Sequence, residues 1–151
     1  MRRLNIRKAT EKDLSRIAEI YVFNNRMNYW PIFKDDEFSF GELQVVTMVD
    51  NYFGKDEILE NILVYDDGLI KGFIQMNRTE ICKIYVDTFF QGEGIGKELI
   101  EYAINEYHAN NLWALEKNER AISFYKKHGF NLTGEKKFEE DTIEYLVQLI
   151  R

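Results

Sequence analysis

The chain is short of several residue types, and each shortage excludes something. It has one cysteine, Cys82, so no disulfide can form within the chain. It has one proline, Pro31, and two histidines, His108 and His128. No His/Cys/Asp cluster has the spacing of a metal site, so none is expected. No apolar run approaches the roughly 20 residues needed to span a bilayer, so no membrane partner is expected. No Lys/Arg run offers a phosphate track, and with a net charge of −6 this argues against general nucleic-acid binding. Met1-Arg2-Arg3 is followed by no secretory apolar stretch, so a cytoplasmic location is expected. What remains is 151 residues, 45% hydrophobic and 15% aromatic, a size that favours a single domain over 1–151.

The stretch 79–107 organises the rest. Alternation over 80–87 reads as a strand, with Glu80, Cys82, Ile84 and Val86 on one face and Ile81, Lys83, Tyr85 and Asp87 on the other. Leu99, Ile100, Ala103, Ile104 and Tyr107 recur at helical spacing. Between them lies Gln91-Gly92-Glu93-Gly94-Ile95-Gly96-Lys97. Alternating glycines at the mouth of a helix let backbone N–H groups converge on a phosphate. Two familiar loops fail here. A P-loop ending at Gly96-Lys97 would need glycine in place of Gln91 and Ser/Thr in place of Glu98. A dinucleotide fingerprint started at Gly92 fails at Lys97, and one started at Gly94 fails at Leu99.

Before this stretch, 4–7 reads as a strand, and Thr10 caps a helix running to about residue 26, with Leu14, Ile17, Ala18 and Tyr21 inward. Pro31 should stop helix at or before Trp30, and a second helix is expected over about 40–53. Strands at 61–65 and 69–76 flank a hairpin turn, Asp66-Asp67-Gly68. After the organising stretch come a buried strand at 112–115, a helix at 119–128 closed by Gly129, and strands at 131–138 and 143–150 joined across Glu139-Glu140-Asp141. The expected class is α/β: a mixed sheet of about seven strands flanked by about four helices.

The pattern [Q/R]-x-x-G-x-[G/A] is carried by Gln91, Gly94 and Gly96. It resembles the pyrophosphate loop of the GNAT superfamily of acetyl-CoA-dependent N-acetyltransferases. Asn118, Ala121, Phe124, Tyr125, Gly129 and Phe130 match that family's second signature, N-x-x-A-x-x-F-Y-x-x-x-G-F.

The resemblance implies a GNAT fold and direct attack of a primary amine on acetyl-CoA in a ternary complex. The alternative is a non-catalytic acyl-CoA-binding sensor of the same fold. It implies that acetyl-CoA contacts Ile84, Tyr85, Val86, Gln91, Gly92, Glu93, Gly94, Ile95, Gly96, Lys97, Asn118 and Tyr125. Tyr125 is implied as proton donor to the leaving thiolate, the alternative being an aromatic packed under the sheet. Glu80 is implied as general base, the alternative being a solvated strand-start carboxylate; Glu116 is a second candidate.

An amine of pKa ~10.4 is neutral roughly once in 2,500 at pH 7, and an α-amine near 7.8 about once in seven, so a base is needed more for the first. The acceptor would be a small-molecule or peptide amine, received by Tyr29, Trp30 and Phe33 beside Asp35, Asp36, Glu37 and Glu42. The bland account of that cluster is a solvated acidic loop. Cys82 is expected to be a pocket or buried residue rather than a nucleophile, and the histidines to sit at helix ends for the dipole. A homodimer through the last strands is drawn from the family.

Overall fold

The computed structural model describes residues 4–140 and 142–151. The sequence features at Met1-Arg2-Arg3 and Asp141 lie outside the described residues. A sheet of seven strands runs in the order β1-β2-β3-β4-β5-β7-β6. Its strands are β1 (Ile6–Lys8), β2 (Ile62–Asp66), β3 (Ile70–Asn77), β4 (Glu80–Val86), β5 (Asn111–Leu115), β6 (Asn131–Phe138) and β7 (Tyr145–Ile150). Neighbours are antiparallel except β4 and β5, which run parallel. The mixed sheet and the hairpin turn agree with the sequence. In the turn, the Gly68 N–H donates to Asp66 Oδ1 at 2.9 Å, and Gly68 takes φ 112°.

The helices are α1 (Leu14–Asn28), α2 (Trp30–Phe33), α3 (Val45–Met48), α4 (Asp56–Leu59), α5 (Ile95–Tyr107) and α6 (Glu119–Lys127). α2, α3 and α4 are single turns. The count of about four therefore holds only loosely, and the region 29–59 differs from expectation. α1 ends at Asn28, before Trp30 as expected, and Pro31 then sits in the first turn of α2, where its missing N–H costs nothing. The helix expected over 40–53 is broken at Leu43 and Gln44, which adopt extended backbone. Arg26 replaces the lost helical bonds there, donating from Nε to the Ser39 carbonyl at 3.0 Å and from Nη2 to the Leu43 carbonyl at 3.1 Å.

One core lies between α5 and the sheet, built from Leu63, Ile74, Ile81, Leu99, Ile100, Leu112, Phe130 and Leu149. The other joins α1 to the opposite face through Ile17, Ile20, Phe53, Ile62, Val64 and Phe73. Gly72 on β3 lets α5 come close. A Cβ there would meet the Tyr85 carbonyl oxygen at 2.9 Å and Ile95 and Leu99 side chains at 3.2 Å.

The facing of β4 departs from simple alternation. The β3–β4 register shifts between Gln75 and Met76, which pair with Lys83 and Ile81. This bulge at Cys82 sends Ile81 to the α5 core together with Ile84 and Val86, and Tyr85 to the α1 side. Near the start of α1, Arg7 donates to both carboxylate oxygens of buried Asp13, at 2.8 and 3.0 Å, and also reaches Asp66. Asp13 accepts the Thr10 N–H at 2.8 Å, completing the helix start read from the sequence.

Candidate active site

β4 and β5 pair only at Glu80–Asn111 and Ile81–Leu112, then separate. Beyond Ile81 the β4 edge that faces β5 has no strand partner. Two cavities open along this gap. The first, about 350 Å³, is lined by β4 (Ile84, Tyr85, Val86), the glycine loop (Gln91, Gly92, Gly94), the first turn of α5 (Ile95, Gly96, Lys97) and the start of α6.

Gly92 and Gly94 both take φ 84°, a left-handed conformation that costs an L side chain strain. The first helical bond of α5 runs from the Glu98 N–H to the Gly94 carbonyl, at 3.1 Å. The N–H groups of Ile95, Gly96 and Lys97 thus have no carbonyl within the helix to receive them. With Lys97 and Arg120 on the same wall, the donors and charges suit a phosphate.

The loop is tied to the strand through Val86. Its carbonyl accepts from Asn24 Nδ2 at 3.0 Å and Gln91 Nε2 at 3.3 Å. Asn24 is 2% exposed in the middle of α1, where the apolar stripe predicts a hydrophobic residue. That polar interruption at Asn24-Asn25 was the available sequence signal for a residue the motifs did not reveal. Asn28, Phe90 and Arg120 on the same wall were likewise missed, while Ala121 and Phe124, matched in the second signature, also line it.

Asn118 caps α6, accepting the Ala121 N–H at 3.2 Å, and lines both cavities. Tyr125 lies two turns on and also lines both. Burial, and then the nearby Tyr29, push its phenol well above the ordinary tyrosine range, so it stays protonated. Tyr85 is pushed up in the same way by burial, then by Tyr29 and Tyr21.

The second cavity, about 1110 Å³, is lined by Tyr21, Tyr29, Phe33, Lys83, Trp113, Thr142 and Ile143, with carboxylates of Asp35, Glu42, Glu139, Glu140 and Glu144 around it. It shares six residues with the first cavity: Tyr29, Ile84, Tyr85, Asn118, Ala121 and Tyr125.

Three residues anticipated for the site lie off both walls: Glu80, Glu93 and Trp30. Glu80 is at the closed end of the β4–β5 gap, opposite Asn77 and Asn111, where its charge acts on the Cys82 thiol. The Trp30 indole N–H is taken up by Asp36 at 2.7 Å. Glu116 pairs with Lys136 and is also off both walls. Cys82 does line the second cavity, and burial, with Glu80 second, holds its thiol above the ordinary cysteine value. His128 packs its ring on Phe124 at 4.9 Å, and burial lowers its pKa, so the charged imidazole expected at a helix end is disfavoured. No group of three or more His, Cys, Asp or Glu among the described residues could hold a metal ion.

The model of the acetyltransferase (GNAT) domain matches residues 59–132, which hold the gap, the loop and α6. This stretch of the chain belongs to the GNAT acetyltransferase family. It is 30% identical over 79 residues to the peptidyl-lysine N-acetyltransferase YjaB of Salmonella typhimurium, a match covering 52% of this chain and 54% of that protein. The chain thus spans about half the length of that relative. It is 25% identical over 149 residues to the spermine/spermidine N(1)-acetyltransferase of Bacillus subtilis, covering 93% of this chain and 95% of that one. The fold matches paia N-acetyltransferase of Thermoplasma acidophilum, solved in complex with coenzyme A, with a TM-score of 0.67, 19% identity, and 99% and 100% coverage of the two chains.

Proposed function

We propose that the protein is an N-acetyltransferase that moves an acetyl group from acetyl-CoA to a primary amine by direct attack in a ternary complex. The observation that carries this reading is the shared wall: the phosphate-suited cavity and the acceptor cavity meet at Tyr29, Ile84, Tyr85, Asn118, Ala121 and Tyr125. A donor and an acceptor entering from the two sides would meet beside the Tyr125 phenol.

Acetyl-CoA supplies an activated acyl group and a thiolate leaving group. The residues present fit it. The loop and first-turn N–H groups, with Lys97 and Arg120, would hold its phosphates. The unpaired edge of β4 would hold its amide-bearing arm, and the Val86 N–H, by resemblance, would serve the oxyanion. Tyr125 would donate a hydrogen bond to the departing sulfur. Because its phenol is far less acidic than a thiol, that bond stabilises the thiolate without a completed proton transfer ahead of it.

Glu80, the base inherited from the resemblance, would work only through water from outside the cavity walls. The carboxylates around the acceptor mouth attract a cationic amine. The names of the relatives make peptidyl-lysine and polyamine amines reasonable acceptors to try. The test is calorimetric titration with acetyl-CoA, ATP and NAD, followed by a thiol-release screen across amines. Micromolar binding of acetyl-CoA alone, with amine-dependent thiol release, is the expected result. Acetyl-CoA binding with no release by any amine would favour the sensor reading.

A further inference from the structure

One group in the acceptor cavity has no task in this chemistry. Lys83 follows the β4 bulge, lies on the same side as Tyr85, and lines the acceptor cavity. Its Nζ is 5.2 Å from the Tyr21 ring centroid and 5.0 Å from that of Tyr52. The Tyr52 hydroxyl is itself held by the buried Gln75, whose Nε2 donates at 2.9 Å. Burial pulls the Lys83 ammonium toward neutrality, but Tyr21 and then Tyr52 outweigh it, leaving it above the ordinary lysine value and charged at neutral pH.

Among the described residues, the remaining Lys and Arg ion pairs are Arg7, Arg16, Lys71, Lys117 and Lys136 with their carboxylates, and Lys83 is in none. It is the cation of a cavity whose other charged walls are acidic. The carboxylates that line the same cavity belong to Asp35 and Glu42 after α1, and to Glu139, Glu140 and Glu144 before β7. Glu144 is committed to Lys117 at 3.0 Å. Aromatic faces and a neutral hydroxyl hold an ammonium in place but leave its charge uncancelled, and in an enclosed site that charge is worth more than in water.

We infer that Lys83 is an anion anchor and that the acceptor is an amine carrying a carboxylate, as an amino acid does. The inference rests on the acetyltransferase reading and narrows its substrate class. Lys83 and Tyr85 are two residues apart on β4, about 7 Å along the strand. That distance suits a carboxylate on Lys83 with an amine directed at the wall shared by the cavities. The mouth carboxylates take the ammonium in, and Lys83 receives the opposite end of the zwitterion. A polyamine, which has no anionic group, leaves Lys83 facing a like charge.

The test compares each common α-amino acid with its own carboxamide as acceptor in the thiol-release assay. The carboxamide keeps the size and the amine, and its amine loses a proton more readily, so intrinsic reactivity runs against the inference. We expect at least one acid to exceed its amide 10-fold or more in kcat/KM. Lys83→Met should abolish that ratio and Lys83→Arg should retain it, with acetyl-CoA affinity unchanged in both as the check on folding.

A second readout needs no turnover: calorimetric binding of an N-acetyl amino acid, against its amide, to the CoA-loaded protein. Amides equal to acids in both readouts, or a preference that survives Lys83→Met, would overturn the anchor while leaving the acetyltransferase reading standing. Failure of the wild-type protein to bind acetyl-CoA would remove both.

Discussion

The hydroxyl oxygens of Tyr29 and Tyr85 lie 3.2 Å apart, joining the C-terminal end of α1 to β4 across the wall that both cavities share. Tyr85 is half-buried against Tyr21, Phe53 and Phe73, and its hydroxyl finds its partner in Tyr29. Tyr29→Phe removes that bond at a cost of about 1 kcal/mol. The expected signature is a rise in KM for the amine larger than any change in the dissociation constant for acetyl-CoA. Steady-state kinetics beside calorimetry reads both.

Tyr125→Phe keeps the ring packed against Phe124 and Phe130 and removes only the hydroxyl. Turnover should fall roughly 100-fold or more, with acetyl-CoA affinity retained. Because the Tyr125 pKa is raised, the wild-type rate should show no descending limb from this group up to the ordinary tyrosine range. A pH–rate profile measured to pH 10 reads this directly.

Gly72→Ala forces a methyl group against the Tyr85 carbonyl and the first turn of α5. Overpacking of this kind costs about 1–3 kcal/mol. The melting temperature should drop by roughly 2–4 °C per kcal/mol. Acetyl-CoA affinity should fall as well, since the displaced turn carries Ile95, Gly96 and Lys97. Thermal melts with and without ligand separate the two effects.

Asp13 is held below the ordinary carboxylate range, chiefly by the Arg7 fork, which outweighs burial. A folded-state pKa below the unfolded value contributes stability that is present above the unfolded value and lost as pH falls through the folded one. Asp13→Asn should therefore destabilise at pH 7, and the gap to wild type should close on acidification below about pH 4. Urea unfolding across that range is the measurement.

The strand and helix order from Thr79 to Phe130 was readable because period, capping and turn residues agree there, as in the Asn118 cap and the glycine loop. Region 29–59 was not, because its conformation is set by distant partners. Arg26 supplies the missing hydrogen bonds of the helix break at Leu43, and no local pattern encodes that reach. The β4 bulge was unreadable for a related reason. Alternation continues through Glu80-Ile81-Cys82-Lys83, and only pairing with β3 reveals that one residue is spare. That single residue moves Ile81 onto the face of Ile84 and Val86, while Lys83 stays with Tyr85.

The two residue pairs that hold β4 to β5 make the gap a seam in the sheet. The α1 core belongs to the strands on one side of it, while β5, β7 and β6 lie on the other. A molecule filling the gap would serve as a removable strand, supplying hydrogen bonds that the polypeptide leaves open. Amide protons of Ile84 and Val86, on the edge away from β3, would then exchange slowly only while it is bound, and its departure would return the seam to solvent. Affinity and the cohesion of the two halves would rise and fall together.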